Sequence, residues 1–185
     1  MKRNFYHGTS ADNLESILQN GLSCDEIKLW NCSGDEIYLW GAMEVGKEWD
    51  CETDEESEER AFRMASESGQ IACIASKDCR IVVLRIELDD SEIMPDTSHE
   101  NMEGRGAVCI NRTIELSEIK DIKVSNDLSM LKGYFIAMMA DNEFFDVELS
   151  RLERRIGEAF KNAEIYPEDI DELIEWDNVN IPAIA

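Results

Sequence analysis

Residues 5–10, FYHGTS, form the part of the sequence best suited to chemistry. A histidine at the end of a strand can present a ring nitrogen to a hydroxyl group of a ligand, and Gly8 beside it lets a ligand approach the backbone closely. Thr9 and the backbone around it offer hydrogen-bonding groups to an amide. The alternative is that His7 is a strand histidine bonded to a neighbour.

A strand and a helix must position this segment. Residues 4–9 read as a short strand. Asp12 then has the features of an N-cap, with Glu15 three residues later as its capping-box partner, and the apolar residues that follow recur at helical spacing. Gly21 stands where a helix-ending glycine belongs. The pattern therefore predicts a helix over residues 12–20.

Further strands and helices follow along the chain. The apolar run Arg80–Leu88 is the clearest strand, because it is long and rich in β-branched residues. An acidic segment, residues 50–59, is either a loop or the start of a helix through 57–66, and residues 70–76 could continue as helix or strand. The other predicted strands are 36–40, 107–110 and 114–124, the last with a possible helical turn at 116–119, and the other predicted helices are 127–140, 143–163 and a last helix from Pro167 through Trp176.

Strands dominate residues 1–125 and helices dominate residues 126–185. This segregation predicts an α+β fold rather than a doubly wound parallel sheet. We therefore divide the chain into a sheet domain, 1–125, and an acidic, mainly helical extension, 126–185, that packs on it.

The charge of the chain is extreme, with 41 acidic against 18 basic residues and a net charge of −23. Free nucleic acid and anionic membranes should be repelled, since binding to both relies on basic residues. A basic protein is the partner that such a surface suits. The alternative is that the acidic residues only maintain solubility.

The cysteines and histidines do not indicate a metal site. None of the six cysteines forms a C-x-x-C pair, and there are only two histidines. The amino terminus lacks the apolar stretch of a signal peptide, and no apolar run approaches the length of a membrane helix. We therefore expect reduced cysteines in a cytoplasmic protein without a membrane segment or a bound metal.

Residues 5–22 resemble the first motif of the ADP-ribosyltransferase superfamily. The poly(ADP-ribose) polymerase branch has a His-Gly-Ser/Thr strand before a helix that ends in Gly-Leu, as at Gly21-Leu22, and the DNA-thymidine-modifying toxin branch has a similar histidine and an Asn-Leu helix start, as at Asn13-Leu14. RNA 2′-phosphotransferases share the fold. The detailed match covers about 18 residues, and the order of strands extends the resemblance over residues 4–124.

The resemblance implies an ADP-ribosyltransferase-like split sheet with short helices and an NAD-binding cleft. NAD would be the substrate, and His7 would orient it. Tyr38 would stack on the nicotinamide ring, although it could instead be an ordinary core tyrosine. The other implied NAD-binding residues are Gly8, Thr9, Ser10, Asn13 and, for the pyrophosphate, Arg105, with Arg63, Arg80, Arg85 and Arg112 as open alternatives.

The resemblance also implies a glutamate that stabilises the oxocarbenium-like transition state, as carboxylates do in glycosidases. Its expected place is just before Val108, where Gly106 and Ala107 stand. We favour Glu103 as the catalytic carboxylate, with Glu100 and Glu115 as alternatives.

We therefore expect an NAD-dependent enzyme that transfers ADP-ribose to an acceptor, which the sequence does not identify. One alternative is an inactive ADP-ribosyltransferase-like module whose acidic surface binds a basic protein. The other is an RNA 2′-phosphotransferase, which should need a basic groove that a chain of charge −23 is poorly suited to form.

Overall fold

The strand that carries the His-Gly-Thr sequence lies in the middle of the protein's sheet. A computed structural model describes residues 1–23, 36–42, 51, 53–96, 106–133, 135 and 170–182. In these residues seven strands form one sheet in the order β4-β5-β2-β1-β3-β6-β7, and each neighbouring pair is antiparallel. The predicted α+β class is confirmed.

The strands are β1 (Lys2–Ser10), β2 (Ile37–Gly41), β3 (Ile81–Asp89), β4 (Met94–Pro95), β5 (Ala107–Ile110), β6 (Ile119–Ser125) and β7 (Trp176–Asn178). The α-helices are α1 (Leu14–Asn20), α2 (Asp54–Ala75) and α3 (Ile170–Leu173). Short 3-10 turns lie at Ala11–Asn13, Asp90–Glu92, Leu116–Glu118 and Ser129–Leu131.

Two apolar clusters cover the two faces of the sheet, so that its central strands are buried on both sides. The cluster on the α1 side contains Phe5, Leu39 and Leu84, and the cluster on the α2 side contains Tyr6, Ala65 and Val83. Neighbouring residues of β1 and β3 therefore contribute to opposite clusters, as side chains of a strand alternate between faces.

The acidic segment before residue 60 begins a single long helix. The Thr53 side chain accepts a hydrogen bond from the Glu56 N–H, and the Glu56 side chain accepts one from the Thr53 N–H, which together form a capping box. Acidic residues in this first turn also face the positive end of the helix dipole. The choice left open at residues 70–76 is resolved as helix, because α2 continues to Ala75.

The helix predicted over 12–20 is present, but its predicted cap is wrong. Residues Ala11–Asn13 form a 3-10 turn, and the Asp12 carboxylate accepts from the backbone N–H groups of Lys77 and Asp78, at 2.8 and 3.1 Å. Asp12 therefore fixes the turn after α2 to the end of β1. Gly21 ends α1 with φ 75°, as a helix-ending glycine does.

The last predicted helix is shorter than expected. It ends at Leu173, and Trp176 instead begins β7, where it pairs with Ser125 of β6. Its ring packs edge-on against Phe62 of α2, at 5.1 Å between centroids, and this tertiary contact overrides the helical spacing. The predicted helix 143–163 lies outside the described residues, and the division at residue 125 stays a prediction.

The described helices include none that is both long and apolar enough to span a bilayer.

Candidate functional site

The sheet opens between β1 and β2. These strands share only two register pairs, Phe5↔Gly41 and Tyr6↔Trp40, whereas β1 and β3 share nine and β2 and β5 share four. If the register continued, His7 would face Leu39 and Gly8 would face Tyr38, but neither pair is formed. We call this place the β1–β2 opening; it divides β4, β5 and β2 from the other four strands.

Backbone groups of both strands point into the opening. The Gly41 N–H donates to the carbonyl oxygen of Gly106, just before β5, so by alternation the main-chain groups of Trp40 and Tyr38 point toward β1. The Ala11 N–H donates to the carbonyl oxygen of Arg80, beside β3. Main-chain groups alternate in direction along a strand, so those of Gly8, three residues earlier, point the other way, toward β2.

His7 stands at the opening and bridges it. Its Nδ1 lies 2.9 Å from the Tyr38 carbonyl oxygen. Since a carbonyl only accepts, Nδ1 must donate, and in the neutral ring Nε2 is then a hydrogen-bond acceptor. Among the described residues none bonds to Nε2. The ring is thus held by one nitrogen and can offer the other to a ligand.

Burial lowers the pKa of His7 from its usual value of about 6.5, and the bond to the Tyr38 carbonyl opposes this shift only in part. The neutral ring is therefore the form that the folded protein favours at neutral pH. This is the protonation state in which Nε2 can accept a hydrogen bond from a hydroxyl group.

A pH dependence of stability follows from the lowered pKa. The unfolded chain takes up a proton at His7 below about pH 6.5, while the folded chain resists it, so the free energy of unfolding should fall as the pH drops through that value. We expect wild type to lose more stability than His7→Asn between pH 7.5 and pH 5.5 in urea unfolding. Parallel pH profiles of the two proteins would contradict the assignment.

The structure gives Gly8 a packing role. A Cβ atom at Gly8 would overlap the Ala65 carbonyl oxygen of α2 and would lie 2.8 Å from the Gly69 nitrogen. The absence of a side chain at Gly8 therefore first of all allows the backbone of α2 to approach β1 closely. A part for the Gly8 main chain in ligand binding stays a prediction.

The other predicted binding residues near His7 also make bonds within the protein. The Asn13 amide donates to the Thr9 hydroxyl at 2.8 Å, which joins the turn before α1 to β1. The Ser10 hydroxyl is buried and accepts from Ser76 at 2.7 Å. These contacts account for Ser10 and Asn13 without a ligand.

Tyr38 is half-buried in β2 and is held at two points. Its carbonyl accepts from His7, and its hydroxyl donates to the Glu36 carboxylate at 3.0 Å. The Trp40 indole donates to Ser68 of α2, so alternation puts the Tyr38 ring on the α2 side of the sheet. His7 leaves β1 on the α1 side, and the two side chains flank the opening from opposite faces.

Sequence reasoning missed Glu36. The signal was available, because residues two apart in a strand share a face, and Glu36 precedes Tyr38 by two. Among the described residues, the Glu36 carboxylate is the one that accepts a hydrogen bond from the Tyr38 hydroxyl.

The predicted catalytic carboxylate has no described position. Glu103, Glu100 and Arg105 lie outside the described residues. Strand β5 carries no carboxylate between Ala107 and Ile110, and the third choice, Glu115, is exposed and forms a capping box with Glu118. The described residues therefore leave the choice between Glu100 and Glu103 open.

Ion pairs occupy two of the alternative arginines. Arg80 pairs with Asp78 at 2.6 Å, and Arg112 pairs with Glu92 and Glu118 at 2.9 and 2.8 Å. The pKa of Glu118 is lowered chiefly by its bond from Arg112. The other two alternative arginines, Arg63, which is exposed, and Arg85, form no ion pair within 4 Å among the residues that the structure describes.

Two of the cavities in the described part of the chain are lined by neither His7 nor Tyr38. The larger, of about 520 Å³, lies between α2 and the sheet and is lined by Tyr6, Phe62, Arg85, Asp121, Lys123 and glutamates of α2. Burial and Glu58 raise the pKa of Tyr6 there to about 12. The smaller, of about 270 Å³, lies beside Arg3, Gly41 and Gly106.

The described cysteines are Cys51, Cys73, Cys79 and Cys109, and all four are free thiols. Over the same described stretches, no group of three or more metal-ligating side chains comes together.

Comparison with known proteins adds no relative: no protein-family model matches the chain, and no curated protein matches it.

Proposed function

We propose that the protein binds NAD at the β1–β2 opening and transfers ADP-ribose from it to an acceptor. The observation that carries the proposal is the bond from His7 Nδ1 to the Tyr38 carbonyl at 2.9 Å, where the ladder between β1 and β2 ends. It leaves Nε2 as an acceptor beside unpaired register positions. The order of the His-Gly-Thr strand, the helix and Gly21 supports the same reading, as does a sheet divided at this strand pair.

The opening suits the nicotinamide riboside end of NAD. His7 Nε2 would accept a hydrogen bond from a ribose hydroxyl, and the main-chain groups of Gly8 that point toward β2 would bind the carboxamide. The Tyr38 ring would pack against the nicotinamide from the α2 side and exclude water. Thr9, whose hydroxyl oxygen already accepts from Asn13, would act indirectly, by holding the turn before α1 against β1.

In the proposed reaction the bond between C1′ of the ribose and the nicotinamide nitrogen breaks. The electron pair leaves with nicotinamide, and the acceptor's lone pair forms the new bond to C1′ as the acceptor loses a proton. Positive charge develops on the ribose between these events, and a carboxylate stabilises it. Glu103 is the residue we propose for this role, and Arg105 is the base we propose for the pyrophosphate.

Release of nicotinamide tests the proposal. NAD labelled in the nicotinamide ring is incubated with the purified protein, with and without a cell lysate as a source of acceptor, and free nicotinamide is separated and counted. We expect release that depends on the protein and increases with lysate, with modified macromolecules among the products. No release, together with no NAD binding, would overturn the proposal.

The Tyr38 ring should matter more than its hydroxyl. Base stacking on an aromatic side chain contributes about 1–3 kcal/mol, so Tyr38→Ala should weaken NAD binding roughly thirtyfold, whereas Tyr38→Phe keeps the ring and should lose only a few-fold. Calorimetric titration with NAD measures both. If Phe proves as damaging as Ala, the stacking role is wrong.

The carboxylate before β5 should affect turnover rather than binding. Glu103→Gln keeps the size and one acceptor oxygen but removes the charge, so the nicotinamide release rate should fall at least a hundredfold while NAD affinity stays within threefold. Glu100→Gln is the matched control. Full activity in both variants would refute a catalytic carboxylate in this segment.

The acidic surface supports a second candidate function, a module that binds a basic protein. Asp54, Glu55, Glu56 and Glu59 are exposed along the first turns of α2, where they would attract basic residues at a range limited by salt screening. Binding of a basic protein without any nicotinamide release would favour this candidate. If the acceptor is itself a basic protein, the two functions hold together.

A further inference from the structure

We infer that Glu36 is a positioning residue of the proposed nicotinamide site, which it serves by fixing the Tyr38 phenol on the α2 side of the β1–β2 opening. This inference rests on the proposed function and assigns a role in it to a residue outside the resemblance to known motifs.

The geometry holds Tyr38 at both ends. His7 donates to its carbonyl at 2.9 Å, which fixes the main chain, and its hydroxyl donates to Glu36 Oε2 at 3.0 Å, which fixes the ring. A tyrosine ring otherwise rotates about two side-chain bonds. A ring held in advance loses less conformational entropy when a flat ligand packs against it.

The register places Glu36 on the correct surface. Glu36 immediately precedes β2, two residues before Tyr38, and Tyr38 pairs with Cys109 of β5. The pKa of the Cys109 thiol is raised to about 11, first by burial and then by the negative charges of Glu36 and Asp96. The Glu36 carboxylate therefore lies along the β2–β5 surface next to the Tyr38 ring, where a ring bound on Tyr38 would also lie.

The direction of the bond has a chemical consequence. A carboxylate accepts and the phenol donates, so the only proton of the Tyr38 hydroxyl is directed toward Glu36 and away from a ligand. In the proposed site Tyr38 would therefore meet a ligand with its ring and not with its hydroxyl, which agrees with a stacking role and not with hydrogen-bond donation to the substrate.

Three variants and one double variant test the inference. Glu36→Ala removes the acceptor, Glu36→Gln keeps an acceptor oxygen without the charge, and Tyr38→Phe removes the donor. A hydrogen bond contributes about 1 kcal/mol net, so Glu36→Ala and Tyr38→Phe should each weaken NAD binding about fivefold. The double variant should be no weaker than either single variant, because both remove the same bond.

Recovery of NAD affinity in Glu36→Gln distinguishes the positioning role from a merely structural role of Glu36. It should bind NAD within twofold of wild type, whereas Glu36→Ala should raise KM more than it lowers kcat. If Glu36→Ala binds NAD as wild type does, or if the double variant shows the product of the two single losses, the inference is overturned. If Glu36→Gln is as damaging as Glu36→Ala, the charge itself acts on the ligand and the positioning role is wrong.

Wild type separates this inference from the proposed function. A wild-type protein that neither binds NAD nor releases nicotinamide refutes the proposed function and, with it, any role of Glu36 there. A wild-type protein that binds NAD, with Glu36→Ala indistinguishable from it, refutes the Glu36 inference alone.

Discussion

His7→Asn is expected to fold as wild type does and to lose most of its affinity for NAD. The Asn Nδ2 group is as many bonds from the backbone as His Nδ1, so it can keep the donation to the Tyr38 carbonyl, whereas nothing in asparagine replaces Nε2. At NAD about 100 times its Kd, wild type should gain about 2.7 kcal/mol, or roughly 5–10 °C in Tm. The variant should show less than a quarter of that shift.

Two further variants make the result interpretable. His7→Gln should lower Tm without ligand, because its amide lies too far along the side chain to keep the Nδ1 bond. Lys2→Ala, at the exposed start of the same strand, should leave both Tm and the NAD shift unchanged. An undiminished NAD shift in His7→Asn would show that Nε2 takes no part in binding.

Among substitutions in β1 that add one methyl group, Gly8→Ala is expected to lower the stability of the protein the most. The added Cβ would overlap the Ala65 carbonyl oxygen, which belongs to the backbone of α2 and cannot rotate away. Overpacking usually costs 1–3 kcal/mol and sometimes more, and a clash with backbone belongs at the upper end. We expect a loss of about 3 kcal/mol, or roughly 6–12 °C in Tm.

Gly41→Ala is the matched control on the neighbouring strand. Its Cβ would lie 3.1 Å from the Phe5 ring, a side chain that can shift, so the cost should be about 1 kcal/mol or less. Thermal unfolding of the three proteins without ligand measures the difference. Equal losses in the two variants would mean that α2 does not lie against Gly8 as described.

The elements with a strong local signal were predicted well. Strand β3 follows from its length and its β-branched apolar residues, and the end of α1 follows from Gly21, whose φ of 75° few other residues adopt. Asp12 was misread because its local pattern is that of a cap, while its carboxylate bonds Lys77 and Asp78, far away in sequence. Trp176 was misread for a related reason, since its pairing with β6 is not visible in a helical spacing.

The candidate site was predictable only in part. The residue types around His7 drew attention to β1, but the bond from His7 to the Tyr38 carbonyl depends on where β1 and β2 separate, which no local pattern encodes. Gly8 was read as a place for a ligand, whereas the tertiary structure puts the backbone of α2 against it. Glu36 could have been found from its spacing to Tyr38, but one acidic residue among 41 carries little signal.

A crystal structure of the protein grown with excess NAD is the measurement that tests the central claim most directly. We predict NAD in the β1–β2 opening, with a ribose hydroxyl within about 3 Å of His7 Nε2, its carboxamide on the Gly8 main chain and its nicotinamide ring against Tyr38. NAD bound instead in the cavity between α2 and the sheet that Tyr6 and Arg85 line, or a His7 ring without contact to NAD, would contradict the account.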